Sequence, residues 1–178
     1  MFRSLGATVV DADEATHAVY APGTDGFDAI VETFGSDYVR DGQIDRKRLG
    51  DLVFKDEAAR MRLNAIVHPR VREWMAERTA EAVDGGAKVV MQDVPLLFEN
   101  GLQDLFDATV LVYAQPQVQV ERLVEQRGLS RDRAASMLAA QMPIDQKRGL
   151  AAFVIDNDGS VDQTRRQVEE VWARVRSL

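Results

Sequence analysis

The chain of 178 residues contains no cysteine, which excludes disulfide bonds, thiolate chemistry and metal sites built on sulfur. Histidine is also scarce: His17 and His68 are the only two, and neither has a second histidine nearby to complete a metal site. No apolar segment approaches the length of a membrane span, and no basic-then-apolar secretory signal opens the chain. We therefore expect a cytoplasmic protein without a resident metal centre.

Acidic side chains outnumber basic ones by 29 to 22, which gives a formal net charge of −7. This excess argues against non-specific binding to nucleic acid polymers or to anionic membranes. An acidic protein can still hold a local basic pocket, so the charge is compatible with an anionic small-molecule substrate.

Short apolar runs alternate with helical patterns along the chain. Four runs predict buried strands, at residues 7–10, 88–92, 108–113 and 153–155. The alternation predicts an α/β fold of three layers, in which a parallel sheet is covered by helices on both faces. The length fits a single domain over residues 1–178, and no linker composition interrupts it.

Two helical regions carry clear boundary signals. The longest runs from Arg46 to Val83; we expect a break at His68–Pro69, since proline disfavours helical geometry in the residue before it. Asp84-Gly85-Gly86 should end this region. The last helix opens with Ser160 and Gln163 at capping-box spacing. Its apolar stripe predicts core packing for Val161, Thr164, Val168, Val171, Trp172 and Val175.

Carboxylates lie just after two neighbouring predicted strands. Asp11 and Asp13 come after the first strand, and Asp93 comes after the second. Ligands of open parallel sheets bind outside the carboxyl ends of the strands, so these groups can hold an acceptor hydroxyl or a metal-bound water there. If the segment stays extended, Asp11 and Asp13 point the same way. The alternative is that either side chain only caps the next helix.

Residues 122–148 are locally basic in an acidic chain, with six Lys or Arg and three Asp or Glu. One interpretation is a solvated helical face. The other is a helical flap that closes over phosphates, to which the fixed donor fork of guanidinium is suited.

Five strings, taken in order and spacing, resemble dephospho-coenzyme A kinases, and the resemblance runs over essentially the whole chain. The strings are "LGATVVDADEATHAVYAPG", "IVHPRVR", "DVPLLFENG", "RGLSRDRAASMLAAQMPIDQKR" and "VIDNDG". The resemblance implies a P-loop kinase of the nucleoside-monophosphate-kinase type. It also implies a helical lid at residues 122–150, which favours the flap interpretation, and a helical substrate-binding region at residues 45–85.

Such an enzyme uses ATP with Mg²⁺ to phosphorylate the ribose 3′-hydroxyl of dephospho-coenzyme A, the last step of coenzyme A biosynthesis. The resemblance implies that Asp13 is the general base and that Asp11 supports it. The residues implied to hold the acceptor are His17, Tyr20, His68, Arg70, Arg72, Asp93, Pro95 and Leu96. The residues implied to bind ATP are Arg127, Arg131, Arg133, Lys147, Arg148 and Asn157.

The sequence departs from the family's pattern in two places. It contains no G-x-x-x-x-G-K-[ST] string, whose backbone amides, lysine and hydroxyl hold phosphates and magnesium. The opening "MFRSLGATVV" resembles the end of the family's P-loop helix and its second strand, with Gly6 as the helix cap. We therefore expect that the first strand and the P-loop are missing, and that this chain alone is poorly stable and inactive. Ala152 stands where the family usually has aspartate.

Two other functions remain open. The first is a non-catalytic remnant that binds coenzyme A-like ligands or a partner protein. The second is a related kinase for another nucleotide or sugar acceptor, against which the D-A-D-x-x-x-H string argues.

Overall fold

All four predicted strands form, and they pair in parallel as the alternation predicts. The strand at Thr8–Asp11 (β1) pairs with the strand at Val90–Asp93 (β4), and the strand at Val110–Tyr113 (β5) pairs with the strand at Phe153–Asp156 (β6). Each pair is a two-stranded sheet.

The computed structural model describes residues 1–178 in two compact units. The carboxylate unit is Thr8–Asp93, and the flap unit is Met1–Ala7 with Val94–Leu178. The α/β class is confirmed, whereas the single domain over residues 1–178 stays a prediction. None of the helices is long and apolar enough to cross a membrane.

The carboxylate unit contains four helices and a hairpin that the sequence analysis did not predict. The hairpin turns at Asp41 and Gly42, both at positive φ (52° and 76°), as the Asp-Gly pair of such turns requires. Its strands are β2 (Val39–Arg40) and β3 (Gln43–Ile44). The helices are α1 (Ala12–Val19), α2 (Asp25–Phe34), α3 (Arg46–Lys55) and α4 (Glu57–Asp84).

The predicted helix break at His68–Pro69 is wrong. The chain breaks instead at Asp56, whose side chain accepts a hydrogen bond from the amide of Ala59 and thereby caps α4. α4 continues through Pro69, because its buried side chains hold the helix against the core on both sides of the proline. Arg70 Nη1 also donates to the carbonyl of Ile66, 2.8 Å away, in the turn before the proline. The predicted end at residues 84–86 is confirmed.

The core of the carboxylate unit lies between α4 and the elements that precede it. It joins side chains from α2, β3, α3 and α4, namely Ile30, Ile44, Leu49, Leu63 and Val67. α4 therefore organises this unit, since it packs against the other three helices and against both strands of the parallel pair.

The flap unit places the last helix on the β5–β6 pair. The capping box at Ser160 and Gln163 is confirmed. The predicted apolar stripe is wrong at Val161, whose residue is 62% exposed, whereas Val168 and Val171 are buried with Phe153 and Ile155. The helices are α5 (Pro116–Arg127), α6 (Arg131–Ala139), α7 (Ile144–Leu150) and α8 (Val161–Val175).

The first residues of the chain form one 3₁₀ turn, Phe2–Leu5, which packs on α8. Gly6 ends the turn at φ 101°, so the predicted glycine cap is confirmed. The ring of Phe2 lies 6.4 Å from that of Trp172.

Gly26 has the least room for a side chain among the glycines of the carboxylate unit. A Cβ at this position would lie 2.5 Å from the carbonyl oxygen of Val19 and 2.6 Å from its Cγ1. Gly26→Ala should therefore lower the free energy of unfolding by about 1–3 kcal/mol, through overpacking against a backbone atom. Gly50→Ala, in α3 with open space around it, is the matched control and should raise it by about 0.4–1 kcal/mol. Urea unfolding of the two variants measures both effects, and equal values would contradict the close approach.

Candidate active site

The parallel register of β1 and β4 brings carboxylates together at the carboxyl ends of these strands. Asp11 is directly opposite Asp93 in the ladder. α1 begins at the next residue, Ala12, so Asp13 lies in the first helical turn beside the same edge. The sequence prediction that these three residues share one sheet edge is consistent with this register.

The segment does not stay extended beyond Asp11, so the condition under which Asp11 and Asp13 would point the same way is not met. Asp11 Oδ1 accepts a hydrogen bond from the backbone amide of Asp13 at 2.7 Å, so Asp11 is the N-cap of α1. The helix therefore starts immediately after Asp11, and Asp13 is turned into its first turn. The cap leaves Asp13 exposed, where its carboxylate is available to a ligand.

The carboxylates at this edge repel one another. Partial burial raises the pKa of Asp93, and the negative charges of Asp11 and Asp13 raise it further. A hydroxyl donor or a cation bound at this edge would reduce the repulsion, because either one interacts favourably with the charged form.

Two of the predicted acceptor-binding residues lie in or directly after α1, and one arginine contacts both. His17 is exposed and Tyr20 is half-buried. Arg46, the first residue of α3, places Nη1 2.8 Å from His17 Nε2, and its guanidinium lies 4.8 Å from the centroid of the Tyr20 ring. The sequence analysis did not select Arg46, because no local pattern relates it to a side chain 29 positions earlier.

The "HPR" residues of α4 differ in their environment. His68 and Arg72 are exposed. Arg70 donates from Nε to Asp25 Oδ2 at 2.9 Å, so it links α4 to the first turn of α2. The acceptor-binding roles of these three residues stay predictions.

In the flap unit, Pro95 and Leu96 are exposed in the loop after β4. The same loop carries Glu99, whose Oε1 accepts a hydrogen bond from the amide of Met142 at 3.0 Å. This contact links the loop to the segment that leads into α7. Pro95 and Leu96 remain predicted acceptor contacts.

Lys147 forms a buried ion pair with the same loop. The residue is 6% exposed, and its Nζ lies 2.6 Å from Glu99 Oε1. Desolvation raises the pKa of Glu99, but the hydrogen bonds from Lys147 and from the amides of Glu99 and Met142, with the Lys147 charge, outweigh it and hold that pKa below its usual value. The ammonium that the sequence analysis assigned to ATP therefore neutralises a buried carboxylate, and its role toward ATP stays a prediction.

Arg148, the next residue, is exposed and lies over an aromatic ring. Its guanidinium is 5.0 Å from the centroid of the Tyr113 ring. The Tyr113 hydroxyl donates to Asp145 Oδ1 at 3.0 Å, and this hydrogen bond is the main reason that the pKa of Tyr113 is raised. α7 is thus attached to its surroundings through Lys147, Asp145 and Arg148 together.

The remaining residues predicted to bind ATP are three exposed arginines and Asn157, whose side-chain amide is hydrogen-bonded within the protein. Arg127, Arg131 and Arg133 are exposed. Asn157 accepts from the Thr164 hydroxyl through Oδ1, at 3.0 Å. Its carbonyl accepts from Arg122 Nη2 at 2.6 Å, so Asn157 also stabilises the loop between β6 and α8.

No group of three or more His, Asp or Glu side chains could hold a metal ion by itself. The oxygen donors of Asp11, Asp13 and Asp93 nevertheless fit the chemistry of Mg²⁺, which proteins commonly bind through one or two carboxylates together with substrate phosphates.

Comparison with known proteins gives one consistent family. The family model described as dephospho-CoA kinase matches residues 1–163. A dephospho-CoA kinase of Geobacillus kaustophilus is 43% identical over 169 residues, which are 94% of this chain and 84% of that protein.

Solved structures agree in fold. The crystal structure of TT1252 from Thermus thermophilus has a TM-score of 0.82 and 32% identity, with 98% of this chain and 87% of that chain covered. A dephospho-CoA kinase from Campylobacter jejuni has a TM-score of 0.71 and 25% identity, with 98% of this chain and 88% of that chain covered.

The Glu99–Lys147 pair predicts an acid-sensitive fold. Because the folded pKa of Glu99 is lowered, its contribution to stability is complete above its ordinary value of 4.5 and is lost as the pH falls through the folded pKa. Glu99→Gln should lower the free energy of unfolding at neutral pH by about 3–5 kcal/mol, because it leaves Lys147 buried without a counter-charge. The variant's unfolding should also vary less with pH below 4.5.

The double variant Glu99→Gln/Lys147→Met is the control for this prediction, because it removes both charges together. It should regain most of the stability that the single variant loses. Urea unfolding at several pH values measures both variants, and a double variant as unstable as the single one would show that the pair is not the cause.

Proposed function

Because the chain belongs to the dephospho-CoA kinase family, we propose that it phosphorylates the ribose 3′-hydroxyl of dephospho-coenzyme A with ATP. The observation that carries the proposal is the edge formed by β1 and β4, where Asp13 is exposed beside Asp11 and Asp93. This edge offers a carboxylate to an incoming hydroxyl at the place where parallel sheets bind ligands. The reaction would complete coenzyme A biosynthesis in the cytoplasm, where ATP is available.

Asp13 is the proposed general base. Its carboxylate accepts the proton of the 3′-hydroxyl while the oxygen attacks the γ-phosphorus of ATP; the bond from that phosphorus to the β–γ bridging oxygen breaks, and ADP leaves. Asp11 holds the backbone of Asp13 through the cap hydrogen bond and thereby orients the first turn of α1. Asp93 contributes a third carboxylate, whose raised pKa reflects the negative charge that this edge already carries.

The acceptor and the nucleotide are proposed to use different residues. His17, Tyr20, His68, Arg70, Arg72, Pro95 and Leu96 contact dephospho-coenzyme A in this proposal. The exposed arginines 127, 131, 133 and 148 bind the phosphates of ATP, since guanidinium matches phosphate oxygens with paired donors. Asn157 contributes to the adenine pocket. Mg²⁺, when bound with ATP, supplies charge neutralisation at the phosphates.

The 178 residues include no G-x-x-x-x-G-K-[ST] string. We propose that this chain on its own binds dephospho-coenzyme A but transfers phosphate very slowly. Phosphoryl transfer depends mainly on positioning and on stabilisation of charge at the phosphates, and no other string in the chain supplies such a cradle.

The test compares the chain with an extended chain, in which a strand and a G-x-x-x-x-G-K-[ST] loop precede Met1. Calorimetry should detect binding of dephospho-coenzyme A to both chains. ATP-dependent formation of coenzyme A should be seen with the extended chain only, and the kinase of Geobacillus kaustophilus serves as the positive control. Turnover by the present chain at the control's rate would overturn the proposed dependence on the loop.

In the extended chain, Asp13→Asn should lower turnover at least about a hundredfold, as expected for loss of a general base. Glu14→Gln removes the neighbouring carboxylate of the same helix and is the matched control, with turnover expected to stay near that of the parent. If Asp13→Asn and Glu14→Gln behaved alike, Asp13 would not be the base.

The second candidate function is a protein that binds coenzyme A-like ligands without catalysis. Binding of dephospho-coenzyme A without turnover in a folded extended chain would support this function over the kinase.

A further inference from the structure

Arg46 contacts the acceptor-binding part of α1 at three points. Nη1 lies 2.8 Å from His17 Nε2, and Nη2 lies 3.5 Å from the carbonyl oxygen of Thr16. The guanidinium also lies 4.8 Å from the centre of the Tyr20 ring. A single side chain of α3 therefore contacts both His17 and Tyr20, the two residues of this part of the chain that the proposed function assigns to acceptor binding.

The hydrogen bond between Arg46 and His17 can run in only one direction. A guanidinium carries five N–H donors and no acceptor, so His17 Nε2 must be the acceptor. An imidazole that accepts through Nε2 is neutral and carries its proton on Nδ1. Arg46 therefore selects the tautomer of His17.

The other ring nitrogen of His17 remains available. His17 is exposed, and Arg46 is the one side chain that hydrogen-bonds to it. Its Nδ1–H is consequently a donor without a partner in the protein. Such a group can donate to a ligand oxygen or nitrogen, and it cannot accept from a ligand hydroxyl or amine.

Tyr20 is held by the same guanidinium through a cation–π contact. Burial raises the pKa of the Tyr20 hydroxyl, and the nearby Arg46 charge opposes this only in part, so the ring is a neutral phenol. The cation lies over a neutral aromatic face, and the arrangement keeps the Arg46 side chain in place to reach His17.

We propose that Arg46 is a positioning residue, which holds His17 as the Nδ1–H tautomer so that His17 donates to an acceptor atom of the substrate, such as a ribose or phosphate oxygen. The substrate half of this inference rests on the proposed function. The tautomer half stands on the Arg46–His17 geometry alone.

Arg48 provides a matched comparison within the same helix. Its guanidinium lies 5.2 Å from the centre of the Tyr38 ring, and Nη1 donates to the carbonyl of Asp37. Arg48 thus combines an aromatic and a carbonyl contact, as Arg46 does, without contacting His17. Arg48→Met controls for the loss of an arginine from α3.

The tautomer is measured by ¹⁵N NMR of the imidazole nitrogens in the 178-residue chain, with His68 on α4 as an exposed internal reference. His17 should carry its proton on Nδ1 in the parent chain, in Arg48→Met and in Arg46→Lys, because lysine is also a donor without an acceptor. Arg46→Met should move His17 toward the Nε2–H tautomer that a free imidazole favours. An unchanged His17 spectrum in Arg46→Met would overturn the inference.

Binding of dephospho-coenzyme A to the same four chains is measured by calorimetry. Arg46→Met should weaken binding about five- to tenfold, the equivalent of one hydrogen bond, whereas Arg48→Met should bind as the parent does. Arg46→Lys should recover part of the loss. Parent-like binding in Arg46→Met, despite a changed tautomer, would refute the substrate half.

The two possible failures are distinguishable. If the parent chain does not bind dephospho-coenzyme A, the proposed function and the substrate half fail together, while the NMR result decides the tautomer half. Thermal unfolding of each variant identifies any loss of binding that comes from unfolding, and in that case Arg46→Lys provides the deciding measurement.

Discussion

The parallel register between β1 and β4 is the constraint on which the candidate site depends. It sets Asp11 opposite Asp93, and since α1 starts at the next residue, it also sets Asp13 beside them. A shift of one strand by one residue would take Asp11 out of alignment with Asp93 and would reverse the faces of the shifted strand. α4 enforces the register, because it packs on both strands while its other contacts lie in the core of the same unit.

The helix cap and the proposed general base lie in the same short segment, at Asp11 and Asp13. Asp11 is a helix cap, which was the alternative to a functional role, yet the cap is what presents Asp13 at the sheet edge. The two interpretations of the sequence are therefore compatible.

Local signals predicted most of the fold, and long-range contacts account for most of what they missed. Apolar runs located the four strands, and capping patterns located the start of α8 and the end of α4. The expected helix break at Pro69 does not occur, because the buried side chains on both sides of it outweigh the tendency of proline to end a helix. The Asp-Gly pair at residues 41–42 is a local signal for the hairpin turn. The contact of Arg46 with His17 joins residues 29 positions apart, for which the sequence contains no periodic signal.

The number of basic side chains in the flap unit is larger than the number that could bind a phosphate, because some of them already have partners in the protein. Of its six basic side chains between residues 122 and 148, Arg122 donates to the carbonyl of Asn157 and Lys147 neutralises Glu99. Helical geometry explains the contrast between Lys147 and Arg148, since adjacent residues on a helix point about 100° apart. The buried pair fixes α7, and the fixed helix presents Arg148 at the surface. The ion pair of Lys147 with Glu99 therefore helps to set the position of Arg148, the next residue of the same helix.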